Sequence, residues 1–121
     1  MLDKQRVYML LSRYISLVEA SPNHMYPDPE NDFWIPMTEE LTKNEDETIA
    51  LLNELEPKEF IYTLEVLDDI TEILKSKKLL DSVRQIGIKK GIYNDYENGK
   101  YKDYLDNCIR ISTFYLDSQC I

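Results

Sequence analysis

Residues 57–75 read PKEFIYTLEVLDDITEILK, and their spacing decides the fold class. Phe60, Leu64, Leu67, Ile70 and Leu74 recur every three or four positions, so they share one stripe of an α-helix. Pro57 suits the first turn, where a missing N–H costs no hydrogen bond. At about 100° per residue, Glu65, Asp68, Asp69 and Glu72 fall together on an arc about 150° from that apolar stripe. Like charges at these spacings repel one another by a few tenths of a kcal/mol per pair. No basic residue stands among them, and Lys75 and Lys77 come just beyond the arc.

The same periodicity extends in both directions. Val7, Leu10, Leu11, Tyr14, Ile15 and Val18 predict a first helix, capped by Asp3 and ending near Ala20 ahead of Ser21-Pro22-Asn23. Residues 21–37, SPNHMYPDPENDFWIPM, read as a long Pro-rich loop whose Met25, Tyr26, Phe33 and Trp34 pin it to the core, with a binding role as the alternative. A helix start is expected at Thr38, with Glu39 and Glu40 near the positive end of its dipole. Asn44 caps a further piece with Ile49, Leu52 and Leu55 inward, and Ser76 caps a short helix carrying Leu79, Leu80, Val83 and Ile86. After Gly99 the spacing of Tyr101, Tyr104, Leu105, Cys108, Ile109, Ser112, Tyr115 and Leu116 is helical again. Residues 92–100 read as a loop, with an Asn98-Gly99 hairpin as the alternative. The expectation is a single all-α domain over 1–121, a compact bundle of about five helices with one long aromatic, Pro-rich loop after the first.

Charge is distributed unevenly along this framework. Between Asp28 and Glu72 stand fifteen acidic residues and two basic ones, Lys43 and Lys58, a net of −13 within a total of −9. Such a block attracts and steers a basic partner. It disfavours direct nucleic-acid binding, where affinity comes from cations on phosphate. The arc Glu65, Asp68, Asp69 and Glu72 is the expected contact, with Glu39, Glu40 and Asp32 adding to the field. Tyr93 and Tyr96 are expected to be exposed anchors, whereas Tyr101 and Tyr104 belong to the last helix's core stripe.

The remaining chemistry is sparse. His24 is the single histidine and Cys108 and Cys120 the two cysteines, with no CxxC, so no zinc set is expected. Phosphate-binding glycine loops and a GxSxG elbow are absent from the sequence. Glu56-x-x-Glu59 and Glu65-x-x-Asp68 resemble the paired carboxylates of the all-α nucleotide pyrophosphohydrolases, which hold Mg²⁺ between facing helices. Here only five residues separate the pairs, which puts both on one helix. Neither an enzymatic role nor a cofactor is expected. With no continuous run of about 18 apolar residues and no signal-peptide pattern at the N-terminus, cytoplasmic residence is the default.

In size, acidity, tyrosine content and helical texture, including PKEFIYTLEVLDDITEILKSKKLLDSV at 57–83, the chain resembles immunity proteins of bacterial polymorphic-toxin and contact-dependent growth inhibition systems. The resemblance implies a protein that binds the toxin domain of a cognate effector and blocks it. Such toxins are often nucleases with basic substrate surfaces. An acidic helical adaptor or regulatory subunit is the second reading.

Overall fold

The computed structural model describes residues 1–20 and 28–118. Its α-helices are α1 (Lys4–Ala20), α2 (Ile35–Leu41), α3 (Glu45–Glu54), α4 (Pro57–Thr63), α5 (Leu67–Leu74), α6 (Lys77–Lys89) and α7 (Lys102–Ser118). A 3₁₀ turn, Leu64–Val66, joins α4 to α5 into one nearly continuous rod, which makes about six helical bodies. No strand forms among the described residues, and the Asn98-Gly99 pair lies in a 3₁₀ turn, Tyr96–Gly99.

Local chemistry starts these helices where the sequence places it. The Asp3 carboxylate accepts from the Arg6 N–H at 3.1 Å, the Asn44 side chain from Glu47 N–H at 2.9 Å and Ser76 Oγ from Leu79 N–H at 3.0 Å. Pro57 stands in the first turn of α4, and Glu56 and Glu59 close a capping box around it. Both carboxylates of that pair are thereby tied to α4's own backbone.

The rod α4–α5 is central. The first part packs on α1, and α5 is held between α2 and α7, while α6 bridges α3 and α7. Phe60, Leu64, Leu67 and Ile70 are buried as their stripe requires, but so are Ile61 and Val66. Helices pack on more than one side of the rod, so its apolar surface is wider than a single stripe.

Helix reaches into the long loop expected over 21–37. From Glu30 the chain is already helical: a π-helical turn, Glu30–Trp34, runs directly into α2. Pro36 is compatible because it falls in the first turn of α2. Phe33 and Met37 are fully buried, with Phe33 stacked on Tyr14 at 3.9 Å between ring centroids. The helix start therefore precedes Thr38, and Glu39 and Glu40 sit near the end of α2, where the dipole does not favour them. Residues 21–27, with His24 among them, and Cys120 lie outside the described residues. Among the described residues no helix is long and apolar enough to cross a membrane.

Candidate functional site

The four-carboxylate arc is divided by the rod's own geometry. Glu65 lies in the 3₁₀ turn, whose tighter winding breaks the even progression of the α-helix. Its Oε1 accepts from Tyr14 Oη at 2.8 Å and Trp34 Nε1 at 3.0 Å, so it faces α1 and the π-helical turn instead of open solvent. Asp68, Asp69 and Glu72 remain together on α5, with Asp69 and Glu72 exposed and Asp68 half-buried. Asp68 and Asp69 stand in the first turn, where the dipole offsets part of their repulsion. Partial desolvation by its neighbours raises the Asp69 carboxyl above its ordinary pKa, and the charges of Asp68, Glu72 and Glu30 add to the rise. Glu30, absent from the expected set, thus joins the ridge from the π-helical turn.

None of these four ridge carboxylates has a basic partner among the described residues. Ion pairs form elsewhere: Lys4 with Glu54, Arg6 with Glu39 and Glu40, Lys43 with Glu40, Lys58 with Glu19 and Lys78 with Asp46.

A groove flanks the ridge on each side. Between α2 and α5 a cavity of about 570 Å³ is lined by Glu30, Asp69 and Glu72 together with Trp34, Ile35, Thr38 and Ile73. Ile35 and Ile73 are large apolar side chains 43% and 58% exposed, and Thr38 Oγ1 is buried with no hydrogen-bond partner among the described residues. Between α5 and α7 a smaller cavity of about 280 Å³ is lined by Trp34, Leu64, Glu65, Asp68, Tyr104 and Ile111, with Cys108 beside them. Trp34 borders both grooves. Acidic rims around accessible apolar floors are what a basic, partly apolar protein surface would need in order to dock.

The other expected contacts do not all gather here. Glu39 is exposed on the wall of the first groove, 3.7 Å from Arg6. Glu40 is fully buried and is a structural carboxylate, contrary to the expectation that it adds to an outward field. It accepts from the Asp3 N–H at 2.7 Å and from Arg6 Nη1 at 2.9 Å, and pairs with Lys43 at 3.0 Å. Asp32 is half-buried in the π-helical turn and lines neither groove.

Tyr93 and Tyr96 are also half-buried instead of exposed, and both pack against the core away from the ridge. Tyr93 Oη donates to Asp106 Oδ1 at 2.7 Å; burial and that carboxylate push its phenol up to about 12. Tyr96 stacks on Tyr101 with centroids 5.8 Å apart. Conversely Tyr104, expected in the core stripe, is 36% exposed at the second groove. Its signal was faint: Tyr104, Cys108 and Ile111 form a second face of α7, beside the Leu105–Ile109–Ser112–Leu116 face that is buried. Ile73 was more legible, being a large apolar residue outside the rod's stripe and next to Glu72.

The pyrophosphohydrolase pattern gains no geometry, since Glu56 and Glu59 serve the α4 capping box and Glu65 is bonded to Tyr14 and Trp34. Among the described residues no group of three His, Cys, Asp or Glu side chains could hold a metal ion. Comparison with known proteins finds no match: no family model, no curated protein and no solved structure matches the chain.

Proposed function

We propose that this chain is an immunity protein that neutralises a cognate toxin domain, a basic nuclease, by docking it on the α5 ridge and covering its active site or substrate surface. The observation that carries the reading is the uncompensated set Glu30, Asp68, Asp69 and Glu72 beside the exposed Ile35 and Ile73. Carboxylates that lack cations are costly to hold together and favourable to pair across an interface. A surface evolved to bind phosphates presents those cations, so an acidic ridge competes for it directly. The apolar floors supply desolvated contact at the centre, with the charges steering approach. The activity is stoichiometric binding in the cytoplasm, with no catalytic step and no cofactor. The choice of a toxin as partner rests on the resemblance in size, acidity and helical texture.

The test is association kinetics with the C-terminal domain of a secreted effector encoded beside the chain. Reversing Asp68 and Asp69 to Lys is expected to slow association at least about tenfold at low salt and to flatten its salt dependence. Unchanged association across salt would overturn the electrostatic docking. If no such effector is encoded nearby, the same ridge serves an acidic adaptor or regulatory subunit instead.

A further inference from the structure

We infer that the groove between α5 and α7 is a receptacle for one arginine side chain of the partner, which makes it the specificity element of the docking surface. This rests on the reading of the α5 ridge as the site of a basic protein. The groove combines three things a guanidinium requires. Trp34 and Tyr104 line it with aromatic surface, Leu64 and Ile111 give its walls apolar contact, and Glu65 and Asp68 supply two carboxylates. Its volume of about 280 Å³ admits a side chain but not a helix.

Glu65 is held in place for this task. Its Oε1 is fixed by two neutral donors, Tyr14 Oη and Trp34 Nε1, which orient the carboxylate and leave its charge unneutralised. Oε2 has no hydrogen bond among the described residues, and neither Glu65 nor Asp68 has a basic partner there. The negative potential inside the groove is felt by its neighbours. Tyr104's phenol is pushed well up by burial, with Cys108 and Glu65 contributing. The Cys108 thiol is raised by burial too, and the charges of Asp68 and Glu65 reinforce it against a hydrogen bond with Tyr104 that acts the other way.

Arginine fits this setting better than lysine. A guanidinium is planar, stacks on aromatic rings, bonds carboxylates through two N–H groups and is weakly hydrated, so it enters a half-buried groove at lower cost. A lysine ammonium is a strongly hydrated point charge and gains less from aromatic walls. The first groove has about twice the volume and a single aromatic side chain, Trp34, so it holds a guanidinium less closely.

Trp34 is the only tryptophan of the chain and borders both grooves, so its fluorescence reports peptide binding, and the groove substitutions assign the signal to this one. The probes are acetylated, amidated hexa-arginine and hexa-lysine peptides, titrated at equal and low ionic strength. Hexa-arginine is expected to bind about tenfold tighter than hexa-lysine. Tyr104→Ala and Asp68→Asn are each expected to remove that preference while hexa-lysine still binds. Ile111→Lys, at a position 44% exposed, places a competing ammonium at the groove and is expected to do the same without disturbing the core. Asp69→Asn with Glu72→Gln should weaken both peptides alike. Equal affinity for the two peptides, or a preference that survives these groove substitutions in variants with unchanged thermal melts, would overturn the receptacle and leave the ridge standing. Binding of neither peptide at low salt would overturn both.

Discussion

Glu40 keeps a carboxylate at 0% exposure because donors reach it from far along the chain. The Asp3 N–H and Arg6 come from 37 and 34 residues upstream, and Lys43 from the following turn. Burial alone raises its pKa, but the Asp3 N–H, Lys43 and Arg6 outweigh it and hold the carboxyl below its ordinary value of 4.5. The sign of the pH effect follows. With the folded pKa below the unfolded one, the carboxylate stabilises the fold above about pH 4.5, and that contribution is lost as pH falls through the lowered folded value. Glu40→Ala leaves Arg6 and the Asp3 N–H without their acceptor and is expected to cost about 2–4 kcal/mol in urea unfolding at neutral pH. Glu40→Gln keeps the shape and is expected to cost less. It should also lose less stability than the native chain as pH falls from about 4.5 through the lowered folded value. A Gln variant as acid-sensitive as the native chain would show that other carboxylates govern acid unfolding. None of this is visible locally. In sequence Glu40 is one more acid beside Glu39, and only the return of α1 over α2 separates the buried one from the exposed one.

At the scale of elements, what was legible was what local chemistry controls. Asp3, Asn44, Pro57 and Ser76 mark four helix starts because capping needs only neighbours within one turn. The rod's core stripe was legible for the same reason. The π-helical turn was not, since prolines at 27, 29 and 36 signal a loop, whereas residues 30–41 are helical with Phe33, Met37 and Leu41 packed in the core. The 3₁₀ turn at Leu64–Val66 was equally hidden, and it holds Glu65, which bonds Tyr14 and Trp34 at the edge of the second groove. Two substitutions probe these joints. Lys75 ends α5 in the left-handed region at φ 50°, which costs a non-glycine residue about 1 kcal/mol, so Lys75→Gly is expected to stabilise by about 0.5 kcal/mol after the added chain entropy. At Gly87 the balance reverses. A Cβ there would collide with the buried Leu105 Cδ2 where α6 meets α7, and overpacking of about 1–3 kcal/mol exceeds a helix-propensity gain of at most about 1. Gly87→Ala is therefore expected to lower the denaturation midpoint, and a raised midpoint would show that Leu105 repacks freely.

Over the whole molecule most of the acidic block seen in the sequence resolves into two populations. Glu40, Asp46 and Glu54 are paired with cations, Glu45 accepts from Ser76 Oγ, Glu56 and Glu59 cap α4, and Glu65 is held by Tyr14 and Trp34. Glu30, Asp68, Asp69 and Glu72 have no such employment in the fold, and sequence could not make the division because most of those partners lie more than 30 residues away. Glu40 and Asp69 should respond oppositely to neutralisation. Asp69's raised pKa means the fold disfavours its charge, so its effect runs against that of Glu40: stability falls as pH rises from the ordinary value of 3.8 through the raised one. Asp69→Asn is thus expected to stabilise the free chain at neutral pH by a few tenths of a kcal/mol after solvent screening, a gain that shrinks as salt is added. The same substitution should weaken binding of a basic partner, since it removes a charge from the ridge. Stability up and binding down together is the pattern of a residue kept for its contact and not for the fold. Thermal melts of the free chain beside hexa-arginine titrations measure both, and a loss of stability on Asp69→Asn would reassign that carboxylate to the scaffold, as the cap of the α5 dipole.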